Sequence, residues 1–526
     1  MDFFSRLPDL ARTEIIIHVE SEASIMKLIR ASPTMLCHYT IYRQSIMRGI
    51  LVNILAVDTT GSILQDAMAI MHLPPLNTTP PFPSIRNVIQ QRIEQSFPNS
   101  LSQLDRATIL NLYRLFSRII SFIEDYLSKS LDPFPPRAYM ALPELAPDNT
   151  GIRFKGRIVD VKPVFMSFLT PSEKSRFLRA FLKHELLCKA YDTRFWETDD
   201  AGSDGEMGRL VEQLHFYLSQ EDIRAIYCAY EYYKSLCGAI AAHYHDAWLP
   251  ERPVRPLFGP SSGVHVPTNL ELRYPDSLYF DSFRYLEDID LRFRRLAVAI
   301  PSFGVDFLTS MFISMARSRD HGQSVWNLIY TLGIDLVWLG STSWRFNLHV
   351  IPRSQYALSR FRSFVNSDSS ILDWGVGQDG KRSHAVNTSF QDHLEKRGSW
   401  VEYLDGHRLH SVQVKVFRQR AWGMFDNDRL YPDIRFHLPS MSDLQYLSFR
   451  DWVENPFTQA EEARARRRSQ KWHNYCSGQI LVQPPQNTTG GPAEGQLLED
   501  NYDYLPRFFR DTSTWKDAYV LAFSAF

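Results

Sequence analysis

The first 55 residues place apolar side chains at the period of short helices. Ile25, Leu28 and Ile29, and after Pro33 also Met35, Leu36, Ile46 and Ile50, recur largely at three-to-four spacing, which gives each helix one apolar stripe. Pro8 suits a first helical turn, and Ser21 to Ser24 supply a cap between the first two helices. Pro33 ends or restarts the chain, because the residue before a proline is pushed out of the α region. The pattern predicts three short helices up to Leu55. Below about 70 residues a core is marginal, so the leftover apolar face wants either the rest of the chain or a partner.

Residues 61–72 and 84–97 read as two more short helices around the proline-rich LPPLNTTPPFP. Leu104 to Leu131 is the strongest helical pattern, with Leu112, Phe116, Ile119, Ile123 and Leu127 on one stripe. Arg114, Arg118, Glu124 and Asp125 fall away from it. The stretch LDPFPPRAYMALPELAP then predicts the main boundary. Thr170-Pro171-Ser172-Glu173 is a capping box with proline at the first helical position, opening a helix to about Trp196. The acidic ETDDAGSDGE at 197–206 reads as a solvated loop, and Ser219 to Asp222 cap a further helix through Trp248. LPERPVRPLFGPSSGVHVP makes a second boundary. Residues 279–340 stay mostly helical, WRFNLHVI and SWVEYL alternate as short strands do, and the chain returns to helix at its end.

The expectation is an all-α or mostly α protein: a three-helix module at 1–55, a helical connector at 56–131 packing on the body, a helical block at 148–249, and a mostly helical body at 267–526 with minor β content. A chain of 526 residues fits two to four domains at about 100–200 residues each.

Composition narrows the function classes. Hydrophobic residues make 44%, charged residues 22% and aromatics 13%, an ordinary globular profile. With 58 basic against 59 acidic side chains, the net charge of −1 offers no general field for nucleic acid or anionic lipid. Five cysteines, Cys37, Cys188, Cys228, Cys237 and Cys476, are odd in number and lack CxxC spacing, which suggests neither a disulfide framework nor a zinc ribbon and fits a reducing compartment. Asp2 and the absence of a long apolar run near the start argue against a signal peptide. Leu296 to Ala316 is broken by Pro301, Gly304 and Asp306, so no membrane span is expected. The location expected is cytoplasmic or nuclear.

The order Leu7-Pro8, a short aliphatic helix, SIMKLIRASP and a following long helix resembles an F-box. More narrowly, LIRASP followed by YTIYRQSIMRGIL is similar to the divergent F-box-like N-termini of a large group of filamentous-fungal proteins. LTPSEKSRFLRAFLKHELLCKAYD at 169–192 and RQRAWGMFDNDRL at 418–430 also resemble stretches that recur in that group. Many F-boxes place a tryptophan in the third helix, where this chain has Tyr39 and Tyr42. The resemblance implies docking onto a Skp-type adaptor and cullin scaffold through Leu7, Pro8, Leu10, Ile15, Ile16, Ile25, Leu28 and Ile29. It implies a substrate-recognition adaptor of a cullin-RING ubiquitin ligase, without catalysis or a cofactor of its own, acting on a protein substrate that the sequence does not name. The alternatives are an S-adenosylmethionine-dependent methyltransferase-like enzyme using a glycine loop at 371–380 and a structural interaction protein with a decayed F-box.

Other constellations have plainer readings. ILDWGVGQDG at 371–380 contains G-x-G-x-x-G and resembles the first motif of methyltransferases that use S-adenosylmethionine, with Glu402 where a ribose-binding acid stands. KRSHAVNTS follows instead of a helix, so a glycine-rich surface turn is the better reading. His243, His245, Asp246 and Cys237 carry metal-ligating atoms, but i and i+2 side chains on a helix diverge, and a helix end with histidines is expected. EEARARRR at 461–468 pairs glutamates with arginines three or four residues on, the spacing of a solvated helix face. Trp422 is expected to anchor a core.

Overall fold

The computed structural model describes residues 2–19, 22–73, 82–143, 145, 153–154, 157–159, 161–190, 210, 213–214, 218–244, 249, 279–282, 304–317, 406–427, 429–431 and 437–438. Of the described residues 74% are helical, which places the chain in the mainly α class. A 3-10 turn, Phe3–Arg6, precedes α1 (Asp9–Val19), α2 (Glu22–Ala31) and α3 (Pro33–Leu55). Next come α4 (Ser62–His72), α5 (Phe82–Ile93), α6 (Arg106–Ser130) and the single turn α7 (Pro135–Ala138). After a two-stranded antiparallel hairpin, β1 (Arg153–Phe154) and β2 (Arg157–Ile158), follow α8 (Pro171–Ala190), α9 (Gln220–Tyr244), α10 (Gly304–Arg317) and α11 (Gly406–Gln419). The short strands read in WRFNLHVI and SWVEYL lie outside the described residues.

Local signals explain where the helices begin. Ser32 caps α3 by accepting from the Met35 N–H at 3.1 Å, with Pro33 in the first turn. Asp105 caps α6 through the Thr108 N–H at 2.9 Å. At α8 the Thr170 hydroxyl accepts from the Glu173 N–H at 3.2 Å while Glu173 accepts from the Thr170 N–H at 2.8 Å, a reciprocal capping box. Ser219 and Asp222 make the same exchange at α9, at 3.0 and 3.2 Å. α3 is one helix by its hydrogen bonds, but Tyr42 leaves helical geometry at φ −100°, ψ 18° and kinks it.

α6 is the axis of the body. Its predicted stripe, Leu112, Phe116, Ile119, Ile123 and Leu127, is fully buried, but so are Phe122 and Tyr126, and Leu115 and Ile120 nearly so. A helix apolar nearly all round belongs inside a core, and α3, α4, α8 and α10 surround it. Asp125, read from the sequence as lying off the stripe, is drawn inward: it pairs with fully buried Lys129 one turn on and accepts from the Tyr232 hydroxyl at 2.7 Å. A lysine this deep needs such a carboxylate, because its charge has left water.

Within the stretch expected as the main boundary, residues 131–143 are largely buried. Phe134, Tyr139 and Met140 are buried, and the guanidinium of fully buried Arg420 donates to the carbonyls of Ser130 and Asp132. A cation from α11's end thus meets the negative end of α6, a tie between residues nearly 300 apart that no local pattern announces. One continuous apolar core runs from Ile16 to Tyr431 across the expected boundaries.

α9 closes on this core at a glycine. A Cβ on Gly238 would lie 2.5 Å from the Cα of Ser282 and 2.6 Å from its Cβ. Gly238→Ala is expected to lower unfolding free energy by about 2 kcal/mol, because backbone must move aside. At Gly49 the obstructing atom is the Cδ1 tip of Ile17, which can rotate, and alanine regains about 1 kcal/mol of helix propensity. Gly49→Ala should therefore fall within ~1 kcal/mol of the parent, and urea midpoints of the two variants check the contrast.

Candidate functional site

The eight residues implicated at the N-terminus divide by burial. Ile16, Ile25 and Ile29 lie in the core, and Ile15 and Leu28 are half-buried against it. Leu7 is half-buried, while Pro8 is exposed and Leu10 leaves 73% of its surface in water. Ile16, Ile25 and Ile29 are buried where α1 and α2 pack on α3, and are not free to meet a partner. Leu7, Pro8 and Leu10 keep accessible surface at the start of α1.

The structure adds neighbours that the sequence reading did not name. Phe3, Leu36, Ile41 and Tyr42 are also exposed, Phe3 at 83% and Ile41 at 67%. They belong to the N-terminal turn and to α3 up to its kink. Asp2 ties the turn to α3: its carboxylate accepts from the Ser32 hydroxyl at 2.6 Å and from the Thr34 and Phe4 N–H groups at 3.1 and 3.0 Å. The bond from Ser32, helped by those from Thr34 and Phe4, brings its pKa down to about 2. Between α1 and α3, His38 lies 2.8 Å from the Thr13 hydroxyl and its ring packs against Tyr42, whose hydroxyl donates to Asp9 at 3.3 Å. Burial holds the His38 imidazole below its usual pKa, against the opposing pull of Asp9. The exposed face therefore stands on a fixed polar seam.

The two internal stretches singled out from the sequence meet each other. Glu173, at zero exposure, accepts from both terminal nitrogens of Arg429 at 2.5 Å and from the Asp426 N–H at 2.8 Å. Asp426 in turn accepts from the hydroxyls of Thr170 at 2.5 Å and Ser172 at 2.7 Å, and pairs with Arg176. Arg176 also donates to the Met424 carbonyl at 3.0 Å. Burial alone would raise the pKa of Asp426, but these bonds bring it down to about 2. Trp422, expected in a core, is buried beneath this loop with Met424 and Phe425. The arrangement fastens the 420–431 loop to the start of α8.

A second exposed apolar group lies beside that junction. Phe165 and Phe168 are exposed at 39% and 59%, with ring centroids 6.4 Å apart and planes 24° from parallel. Ile158 is also exposed. Sequence reading missed them, because two phenylalanines in a loop look like core until burial is known.

The rival chemistries fare as follows. His243 lies 2.8 Å from the Met140 carbonyl and packs edge-on against Phe154, while His245 and Asp246 lie outside the described residues. No group of three or more His, Cys, Asp or Glu among the described residues gathers as metal ligands. Cys37 is an exposed free thiol, and Cys188, Cys228 and Cys237 are buried free thiols. Burial pushes the Cys228 thiol up to about 12, so it is no thiolate near neutral pH. The 371–380 glycine loop and the 461–468 arginines lie outside the described residues. No helix among the described residues is long and apolar enough to cross a membrane.

The described residues thus define a mainly helical protein, with one core and two exposed apolar groups among them. No family model, no curated protein and no solved structure matches the chain.

Proposed function

We propose that this chain is a substrate-recognition adaptor of a cullin-RING ubiquitin ligase, with residues 1–55 an F-box-like module that docks a Skp-type adaptor. The body presents a protein substrate, and the chain performs no catalysis itself. The observation carrying this reading is where apolar surface is left in water. Of the nine exposed large hydrophobic residues among the described residues, five, Phe3, Leu10, Leu36, Ile41 and Tyr42, fall within the first 42 positions. Exposed apolar side chains gathered in one small module mark an interaction surface. The Leu7-Pro8 turn that leads into α1 lies in the same module.

A pull-down with a purified Skp-type adaptor tests the reading. The wild-type chain is expected to be captured, and Leu7→Ala/Pro8→Ala to lose most of that capture. If neither form is captured, the reading falls. The burial of Ile16, Ile25 and Ile29 supports a second reading, a structural interaction protein whose F-box has decayed. Absence of capture together with unchanged folding on Leu10→Ala would favour it.

A further inference from the structure

The nine exposed large hydrophobic residues among the described residues occupy two segments. Phe3, Leu10, Leu36, Ile41, Tyr42 and Val52 lie at 3–52, and Ile158, Phe165 and Phe168 at 158–168. The segments meet opposite ends of α6. Arg48 of the first donates to the Leu104 carbonyl just before α6, at 3.4 Å. In the second, the Met166 N–H donates to Glu124 at 3.2 Å and the Val164 N–H to the Ser128 hydroxyl at 2.8 Å. Twenty residues of helix at 1.5 Å each separate these attachments by about 30 Å.

We infer that Phe165 and Phe168, with Lys162, form a second docking surface, which takes an acidic peptide segment bearing apolar side chains. The rings are held ready to bind. Met166 between them is buried as an anchor, its backbone is fastened to α6, and Arg429 donates to the Phe168 carbonyl at 3.3 Å. Rigid aromatic side chains lose little conformational freedom on contact, which suits them as interface anchors. Charge selects the partner's sign. Exposed Lys162 makes no ion pair among the described residues, whereas Arg429 is already paired with Glu173. The neighbouring carboxylates are engaged: Glu173 is buried against Arg429, and Asp426 is held by Arg176, Thr170 and Ser172. An acidic segment meets the Lys162 charge here, and the described carboxylates beside it, Glu124, Glu173 and Asp426, are each already hydrogen-bonded.

In the adaptor reading, on which the partner's identity as substrate rests, one end of α6 faces the ligase and the other the substrate. The test is independent of any Skp-type adaptor. A fluorescein-labelled, glutamate-rich peptide carrying paired phenylalanines is titrated with the full chain and followed by anisotropy. Saturable binding is expected, weakened roughly tenfold by Phe168→Ala and by Lys162→Glu and unchanged by Leu10→Ala, a loss the size of a hot-spot truncation. Ring-bearing Phe168→Tyr should retain it. Equal or tighter binding of a lysine-rich peptide with the same phenylalanines overturns the inference, as does a Phe168→Ala variant that binds as the parent does or a wild type that shows no saturation. Sedimentation with phosphatidylserine vesicles that depends on Phe168, in place of peptide binding, would make the surface a membrane contact and equally overturn it. Peptide binding without Skp-type capture would sink the adaptor reading and leave this surface standing.

Discussion

Glu173→Ala is expected to lower the unfolding free energy by about 3 kcal/mol, the scale of breaking one side of a buried ion pair. The carboxylate is fully buried and serves three groups at once: the Thr170 N–H, the Asp426 N–H and the Arg429 guanidinium. Arg429 is partly exposed and can regain water, so the loss falls at the low end of that scale. Glu173→Gln, which keeps one acceptor oxygen but cannot take both nitrogens of Arg429, should lose less. The pH dependence has a definite sign. Burial pushes the Glu173 pKa up, but the bonds from Arg429, Asp426 and Thr170 outweigh it and leave the pKa below the usual value of 4.5. The contribution of Glu173 is therefore complete above about pH 4.5 and is lost as pH falls below that value. Urea unfolding from pH 3 to 7 should show the parent's stability converging on that of Glu173→Ala toward the acid end. Parallel curves would refute the assignment.

Glu185 gives the opposite slope. It is buried on α8 against the start of α10, where it accepts from the Val305 N–H at 2.5 Å. Gly304 provides the room: at φ +84°, a Cβ there would stand 2.6 Å from the Glu185 carboxylate. Asp306, in the same first turn, holds the cations, with Arg118 at 2.5 Å and Lys189 at 3.1 Å. Burial above all, and then the charge of Asp306, pushes the Glu185 pKa up to about 7. Between pH 4.5 and 7 the native chain keeps a proton that the unfolded chain has released, so stability falls as pH rises through this window. A displacement of this size corresponds to on the order of 3 kcal/mol above pH 7. Glu185→Gln retains an acceptor for Val305 without the charge. It should flatten the slope and be the more stable form at pH 8 by on the order of 2 kcal/mol. A variant that tracks the parent across the window would show that Glu185 is ionised in the native state.

Both carboxylates sit on α8, yet the sequence separates them unequally. Glu173 was legible as half of a capping box, because that signal is confined to four consecutive residues. Its second role, holding Arg429 from 256 positions away, was not. Glu185 appears in the sequence as one more charge on a helix, and only the arrival of α10 at Gly304 gives it its environment. The candidate site divides in the same way. Pattern named Leu7, Pro8 and Leu10 together with Ile16, Ile25 and Ile29, since all are apolar at helical spacing. Which ones are buried depends on how α1 and α2 fold back onto α3, a packing that no local pattern states.

What the sequence by itself determined is local: helical class, the caps at Thr170 and Ser219, and the stripe on α6, all set by neighbours within a few residues. Only the tertiary structure decided that the proline-bearing residues 131–143 are largely buried, that Arg420 meets the end of α6, and that Phe165 and Phe168 are left in water beside Arg429. Burial is a property of the whole packing. A phenylalanine carries the same apolar surface in either place, and the position of distant helices settles whether it becomes core or contact.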